Sequence, residues 1–392
     1  MRITFLVDNL PHPTLPLLTE HGLSLYIETD DLTNRLIGES TNRKIGILCD
    51  MGASGAYIKN AKALGIDLNT CHWAFLSHAH ADHTGGLGKW VAQYGHIPVY
   101  ASHHIPTLQC YSSRPKKVEG QKSKVESQRK VSAEASLLDY AEPMPDFMSE
   151  ANKVASQRSK VEDQRFNDSA IQRERSEFDS PHHQITASPR YIGADLNLFR
   201  GHTPWFKPIE QNTWISPDIA LVHPTCHQYS KPLGNKYLTV VTSQKSKVAS
   251  QRFNDSAIQP EQSENDSPNH QITASPSQSE IDPFDHEFAL AFITGKGLVI
   301  VSCCSHHGAL NTIASCMEFT GCNTLHAYIG GLHFVDSPEV EAETTSFIGD
   351  WLRLYPNAHL YTGHCTCPRA ATLLKAHLPK CHTFYTGMMV EV

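Results

Sequence analysis

The chain has 392 residues, 40% hydrophobic and 19% charged, with a formal net charge of −7 at pH 7. That length fits one large domain or two ordinary ones, and the mild acidity argues against a polyanion-binding stripe, so no nucleic-acid partner is expected. No run of eighteen apolar residues occurs, so no membrane span is expected, and eleven cysteines, odd in number and irregular in spacing, suit free thiols in a reducing cytoplasm.

Residues 2–7 read as a first β-strand, since Asp8 interrupts the segment too early for a signal peptide. A turn at Glu20-His21-Gly22 leads into a second strand, and Lys44 to Cys49 forms a third, ending at Asp50-Met51-Gly52. Ser54 is placed to cap a helix with apolar positions Ala56, Ile58, Ala61 and Leu64, which Gly65 ends. His72 to Leu76 is an apolar run and reads as a buried strand. Directly after it comes Ser77-His78-Ala79-His80-Ala81-Asp82-His83-Thr84-Gly85-Gly86, and then a helix to Tyr94.

Three imidazoles and a carboxylate therefore sit where a strand hands over to a helix. Residues two apart in an extended segment share a face, so His78 and His80 can point together, while Asp82 and His83 project from the turn toward a second point. This spacing suits two metal ions a few ångströms apart. Imidazole plus carboxylate favours zinc, iron or manganese, with zinc the foremost expectation.

Pro98 to Ser102 is the next strand. Strands alternating with helices over the first hundred residues argue for a layered α/β domain. From about Arg114 the composition shifts to Ser, Gln, Lys, Arg and Glu, over 114–190 and again over 244–281. Residues 165–189 recur at 252–276 with a constant offset of 87, and 21 of 25 positions match. Two separated copies without an apolar face do not make a solenoid. They read as a mobile sequence element inserted into surface loops, too poor in apolar residues to offset chain entropy. The alternative is a partner-binding arm. Residues 137–149 read as domain sequence surviving between inserted pieces. The domain proper is expected over 1–113, 191–243 and 282–392, with strands and a loop on the substrate side in the middle piece.

From Phe288 the pattern is regular again. Two hairpin strands, 288–293 and 298–302, flank Gly295-Lys296-Gly297. A helix is expected from Ala309 to Phe319, a strand from Thr324 to Ile329, and a helix opened by Pro338 that reaches Leu354. A short strand from His359 to Thr362, a helix opened by Pro368 and a last strand beginning at Thr383 complete the chain. Three histidines follow buried strands: His306, His333 and His364. Strand ends are where α/β folds place their sites, so each is a candidate ligand. Cys304 and Cys365 stand beside them, and their default reading is as buried neutral thiols.

The run His78-Ala79-His80-Ala81-Asp82-His83 resembles the HxHxDH signature of the metallo-β-lactamase superfamily. Glu20-His21-Gly22-Leu23-Ser24, Asp50-Met51-Gly52, Cys304-Ser305-His306, Gly330-Gly331-Leu332-His333 and His364-Cys365-Thr366 narrow the likeness. They resemble a branch of metal-dependent hydrolases related to the dihydropterin-methyl-ribofuranosyl-aminobenzene phosphate synthases. Cys49 and Cys303 depart from that branch's pattern, where Phe and Gly are usual. The resemblance implies a four-layer αββα sandwich with a dinuclear site at one edge, held by His78, His80, Asp82, His83, His306 and His364. It implies a hydrolase that uses a metal-activated water on a small anionic, phosphate-bearing substrate. Asp82 would orient that water, and His333 or His21 would serve as proton donor. A non-catalytic metal-dependent sensor on the same fold is the alternative; a di-iron redox enzyme would need a flavin module, and no Gly-rich nucleotide loop is visible. Deleting residues 150–188 is expected to leave melting temperature and metal content nearly unchanged. A large loss of either would show that this segment packs on the domain.

Overall fold

Why the two halves of the chain enclose one core follows from the alternation of side chains along the strands. The computed structural model describes residues 1–30, 44–114, 189–242 and 279–392. Met1–Arg114 and Ser188–Val392 form one unit. The inserted elements, the repeat and the 137–149 stretch lie outside the described residues, except for their flanks at Arg190 and Glu280–Ile281, which are strand.

The first sheet has the order β18-β1-β2-β3-β4-β5-β8. Its strands are β1 (Arg2–Val7), β2 (Ser24–Asp30), β3 (Lys44–Cys49), β4 (Cys71–Leu76), β5 (Val99–Ser102), β8 (Phe206–Ile209) and β18 (Met389–Glu391). The second has the order β17-β16-β15-β14-β13-β10-β9. Its strands are β9 (Thr213–Ser216), β10 (Ile219–Val222), β13 (Ala289–Thr294), β14 (Gly297–Val301), β15 (Leu325–Ile329), β16 (His359–Thr362) and β17 (Cys381–Thr383). In β14, Leu298 and Ile300 face one side while Val299 and Val301 face the other, the period of two that a sheet covered on both faces requires. The inner faces meet through Phe5, Leu25, Ile47 and Phe75 from the first sheet and Leu221, Leu290, Val299 and Ala327 from the second.

Each outer face is closed by helices. Tyr57 and Ala61 of α1 (Ala56–Ala63) and Leu87 and Trp90 of α3 (Leu87–Tyr94) cover Leu48, Ala74 and Leu76. Ile313 of α4 (Ala309–Thr320), Phe347 and Trp351 of α5 (Val340–Leu354) and Leu374 of α6 (Pro368–His377) cover Ala291, Ile300, Tyr328 and Leu360. The layers run helix, sheet, sheet, helix, as expected. All eleven cysteines are free thiols, and Cys49 meets Cys303 across the inner core at 3.6 Å between sulfurs. No helix among the described residues is long and apolar enough to cross a membrane.

Several boundaries differ from the sequence reading. Gly55, not Ser54, occupies the cap position of α1, although Ser54 Oγ accepts the Ala56 N–H at 3.2 Å. The helix expected after the histidine cluster is two pieces, α2 (Ala81–Thr84) and α3, with Gly85 and Gly86 between them. A Cβ at Gly86 would run into the Met51 and Ser54 carbonyls, so only glycine lets the chain pass there. Helix α5 begins at Val340, two residues after Pro338. The strand near Thr383 ends there, and the last strand is β18, which pairs with β1. A small third sheet was not anticipated: β12 (Glu280–Ile281), β11 (Leu238–Thr242), β6 (Leu108–Ser112) and β7 (Arg190–Tyr191). Its strands flank the segments of shifted composition, which masked the pairing.

Phe384 stacks on Phe5 with ring centroids 4.3 Å apart, and both rings are fully buried. Phe384→Ala is expected to destabilise the protein by about 3–5 kcal/mol, the cost of a large cavity. Urea denaturation measures it.

Candidate metal centre

Strands β3, β4 and β5 run parallel in the first sheet, and β14, β15 and β16 in the second. Their C-terminal ends carry the loops that bear the candidate residues, the usual place for a site in such sheets. His78 and His80 follow β4, and Asp82 and His83 lie in α2. His306 follows β14, His333 follows β15 and His364 follows β16.

These side chains gather in two groups. Donor atoms of His78, His80 and His306 all lie within 4.8 Å of one another, and all three residues are buried. In the second group, His83 Nε2 is 3.1 Å from His364 Nε2, and Asp82 Oδ2 is 3.7 Å from the first nitrogen and 3.4 Å from the second. The His78 and His83 rings join the groups, with centroids 4.1 Å apart.

The hydrogen bonds decide which ring nitrogen each imidazole presents. His83 Nδ1 donates to Asp50 Oδ2 at 2.6 Å, with both groups fully buried. Ser77 Oγ donates to the same carboxylate at 2.7 Å and so accepts from His78 Nδ1 at 2.8 Å. Asn235 accepts from His306 Nδ1 at 3.2 Å and donates to the His306 carbonyl at 2.7 Å. Asn9 grips His364 in the same way, at 3.1 and 2.8 Å. Four rings thus keep their Nε2 lone pairs pointing inward. Among the described residues, His78 Nε2, His80 Nε2 and His306 Nε2 are buried without a hydrogen-bond partner. Two lone pairs facing each other at 3.1 Å beside a carboxylate repel unless a cation sits among them. The donor set fits a metal ion.

Electrostatics agree. Burial, then the charge of neighbouring rings, holds the His78 and His306 imidazoles well below their ordinary value. Burial and His286 bring His80 to about 4, and burial and His80 bring His333 to about 3. Burial pushes the Asp82 carboxyl up, but His83 and His364 outweigh it and hold it well below the usual range. His78, His80, His306 and His333 are thus neutral near pH 7 and the Asp82 carboxylate is charged, the protonation states that ligands need.

Of the remaining expectations, His333 packs beside His306 with ring centroids 4.4 Å apart, and its buried Nδ1 has no hydrogen-bond partner among the described residues. His21 is exposed at the rim, with Nε2 3.5 Å from Asp82 Oδ2. Sequence reasoning missed the residues behind the rings. Asp50, Asn9 and Asn235 are described above. Buried Glu287 accepts the backbone N–H groups of His306 and His307 at 2.7 and 2.9 Å. Asp282 lies 3.9 Å from His80 Nε2, and Phe284 stacks flat on His306 at 4.3 Å. The one available signal was a carboxylate or amide immediately after a strand, as at Asp8-Asn9 and Asp50. His223 acts at a distance: its Nδ1 donates to the Glu287 carbonyl at 2.8 Å.

Two apposed sheets, flanking helices and a buried imidazole–carboxylate cluster at their strand ends define the metallo-β-lactamase fold, and this chain has it. Residues 38–112 match the family model of the metallo-beta-lactamase superfamily. Over 86 residues the chain is 35% identical to the 7,8-dihydropterin-6-methyl-4-(beta-D-ribofuranosyl)-aminobenzene-5'-phosphate synthase of Methanocaldococcus jannaschii. That match covers 22% of this chain and 28% of the relative's length. A solved metal-dependent hydrolase of the beta-lactamase superfamily aligns over 100% of this chain and 99% of its own, at 21% identity and a TM-score of 0.59. Zn(2+)-bound PqqB from Methylobacterium extorquens aligns over 100% of both chains, at 9% identity and a TM-score of 0.42. The fold suggests metal ions.

Because burial lowers the pKa of His78, His80, His306 and His333, the unfolded chain binds more protons than the folded one below about pH 6.5. Stability of the ion-free protein is therefore expected to fall as pH drops from 7.5 to 5. Scanning calorimetry tests this, and a melting temperature that held level or rose would contradict it.

Proposed function

We propose that the chain is a metal-dependent hydrolase acting on a phosphoester in a small anionic metabolite, with a pterin-type compound the foremost candidate. The observation that carries this is the pair of adjacent donor groups, His78-His80-His306 and Asp82-His83-His364, joined at the 4.1 Å contact between His78 and His83. In this reading each group holds one divalent cation, foremost zinc, with iron or manganese accepted by the same donor set. Two such ions, when bound, lower the pKa of water to near neutrality and polarise a phosphoryl oxygen.

The chain's own residues supply the rest. Asp82 is the one carboxylate among the six donors, so the site keeps surplus positive charge and favours a phosphate-bearing substrate. The name of the Methanocaldococcus jannaschii relative, which carries both a dihydropterin and a 5'-phosphate, supports that substrate class. Asp82 remains ionised and accepts the hydrogen bond that orients an attacking water. His333, neutral in its buried position, offers an N–H to a substrate oxygen. His21 stands at the exposed rim within 3.5 Å of Asp82 and can carry a proton to the leaving group. We place this activity in the cytoplasm, where the free thiols are stable.

Purified protein loaded with zinc is expected to hydrolyse a generic aryl phosphodiester. His80→Ala should lower kcat/KM by more than about 100-fold, because even outer-sphere changes cost 10–100-fold. Loaded wild-type protein that cleaved no phosphoester would overturn the proposal.

A further inference from the structure

We propose that Cys304 contributes a thiolate ligand to the Asp82–His83–His364 half of the centre. The inference rests on the metal-centre reading above and deepens it. Cys304 is 3% exposed, in the loop that also carries His306. Its Sγ lies 3.1 Å from His83 Nε2, the nitrogen that also lies 3.1 Å from His364 Nε2. The sulfur is within 4.8 Å of donor atoms of His78 and His83, and within 4.8 Å of those of His364 and Cys365.

The separations lie within about half an ångström of the edges of a single coordination tetrahedron. Metal–nitrogen and metal–oxygen bonds near 2.0–2.2 Å and a metal–sulfur bond near 2.3 Å put neighbouring donors about 3.3–3.7 Å apart. Here the edges are 3.1 Å (His83 to His364), 3.1 Å (His83 to Cys304), 3.4 Å (Asp82 to His364) and 3.7 Å (Asp82 to His83). A thiol that merely donated its S–H to His83 would account for one of these edges. It leaves the His364 nitrogen, whose other ring nitrogen is held by Asn9, aimed at the same point without a reason.

The neighbouring Cys365 is engaged elsewhere. Its sulfur accepts the His333 N–H at 3.3 Å and faces the Cys304 carbonyl at 3.7 Å. It ties together the loops after β14, β15 and β16, whereas the Cys304 sulfur turns toward the imidazoles. On coordination the S–H bond of Cys304 breaks, its proton passes to solvent and a sulfur–metal bond forms; nothing is oxidised or reduced. A soft donor favours zinc or cobalt over manganese at this half of the centre, and its charge offsets part of the positive surplus.

Full-length ion-free protein reconstituted with cobalt(II) tests the inference. Wild type and Cys365→Ser should develop a near-ultraviolet sulfur-to-cobalt charge-transfer band, and Cys304→Ser should take up cobalt with visible d–d bands but without that feature. Cadmium-113 NMR of the wild type needs no variant. One resonance should lie far downfield of the other, as sulfur ligation requires. Cobalt uptake with no charge-transfer band, or a band that survives in Cys304→Ser, would overturn the thiolate and leave the metal centre standing. Failure to bind cobalt at all would overturn both.

Discussion

Facing lone pairs, held together by the fold, are the constraint on which the site depends. His83 lies just beyond a strand of the first sheet and His364 just beyond one of the second, 281 residues apart in sequence, yet their Nε2 atoms meet at 3.1 Å. Left alone, that contact is repulsive, and the surrounding structure opposes the repulsion from behind. Asp50 holds His83, Asn9 holds His364, and Asp8 accepts the His364 backbone N–H at 3.0 Å. Asp50 also reaches His78 through Ser77, so one carboxylate sets the tautomers of rings in both donor groups. Such outer partners fix ring orientation and raise ligand basicity.

The backbone shares the load. Asp50, Ser305, His333 and His364 all have positive φ, between 50° and 57°. That region costs a non-glycine residue free energy, and such residues cluster where the surroundings over-determine them. Each of these four stands where a strand has ended and the chain must turn back across the sheet edge. Asp50 is spent on hydrogen bonds to Ser77 and His83. Glu287 does similar work on the other sheet, anchoring His306 and His307 through their backbone N–H groups. Rigid anchoring of this kind lets a loop hold ligands with the precision of a strand.

Much of the fold was legible in the sequence because the strands are short apolar runs between glycine-marked turns. The HxHxDH run gave away two of the three members of each donor group, since its spacing is local. His306 and His364 were visible as histidines at strand ends, but nothing local says that they meet His78 and His83. Asn9 and Asn235 could not be read as clamps, because a clamp is a relation between distant residues, and an isolated Asn has no signature. β18 was missed for a similar reason. Met389–Glu391 is three residues long and acquires its strand character only from β1. Cys49 and Cys303, each an oddity in its own segment, make sense as neighbours at 3.6 Å.

The order in which the chain becomes available adds a kinetic consequence. β1, the strand before Asp8 and Asn9, has β18 at its outer edge, so the first sheet lacks this border until Met389–Glu391 have emerged. The first donor group lacks an imidazole until residue 306 is made and the second until residue 364, and contacts of such long sequence separation form slowly. Any ion caught earlier by His78, His80 and His83 would be held by a partial set and released easily. Completion of the second donor group and final closure of the sandwich therefore belong to one late step of assembly.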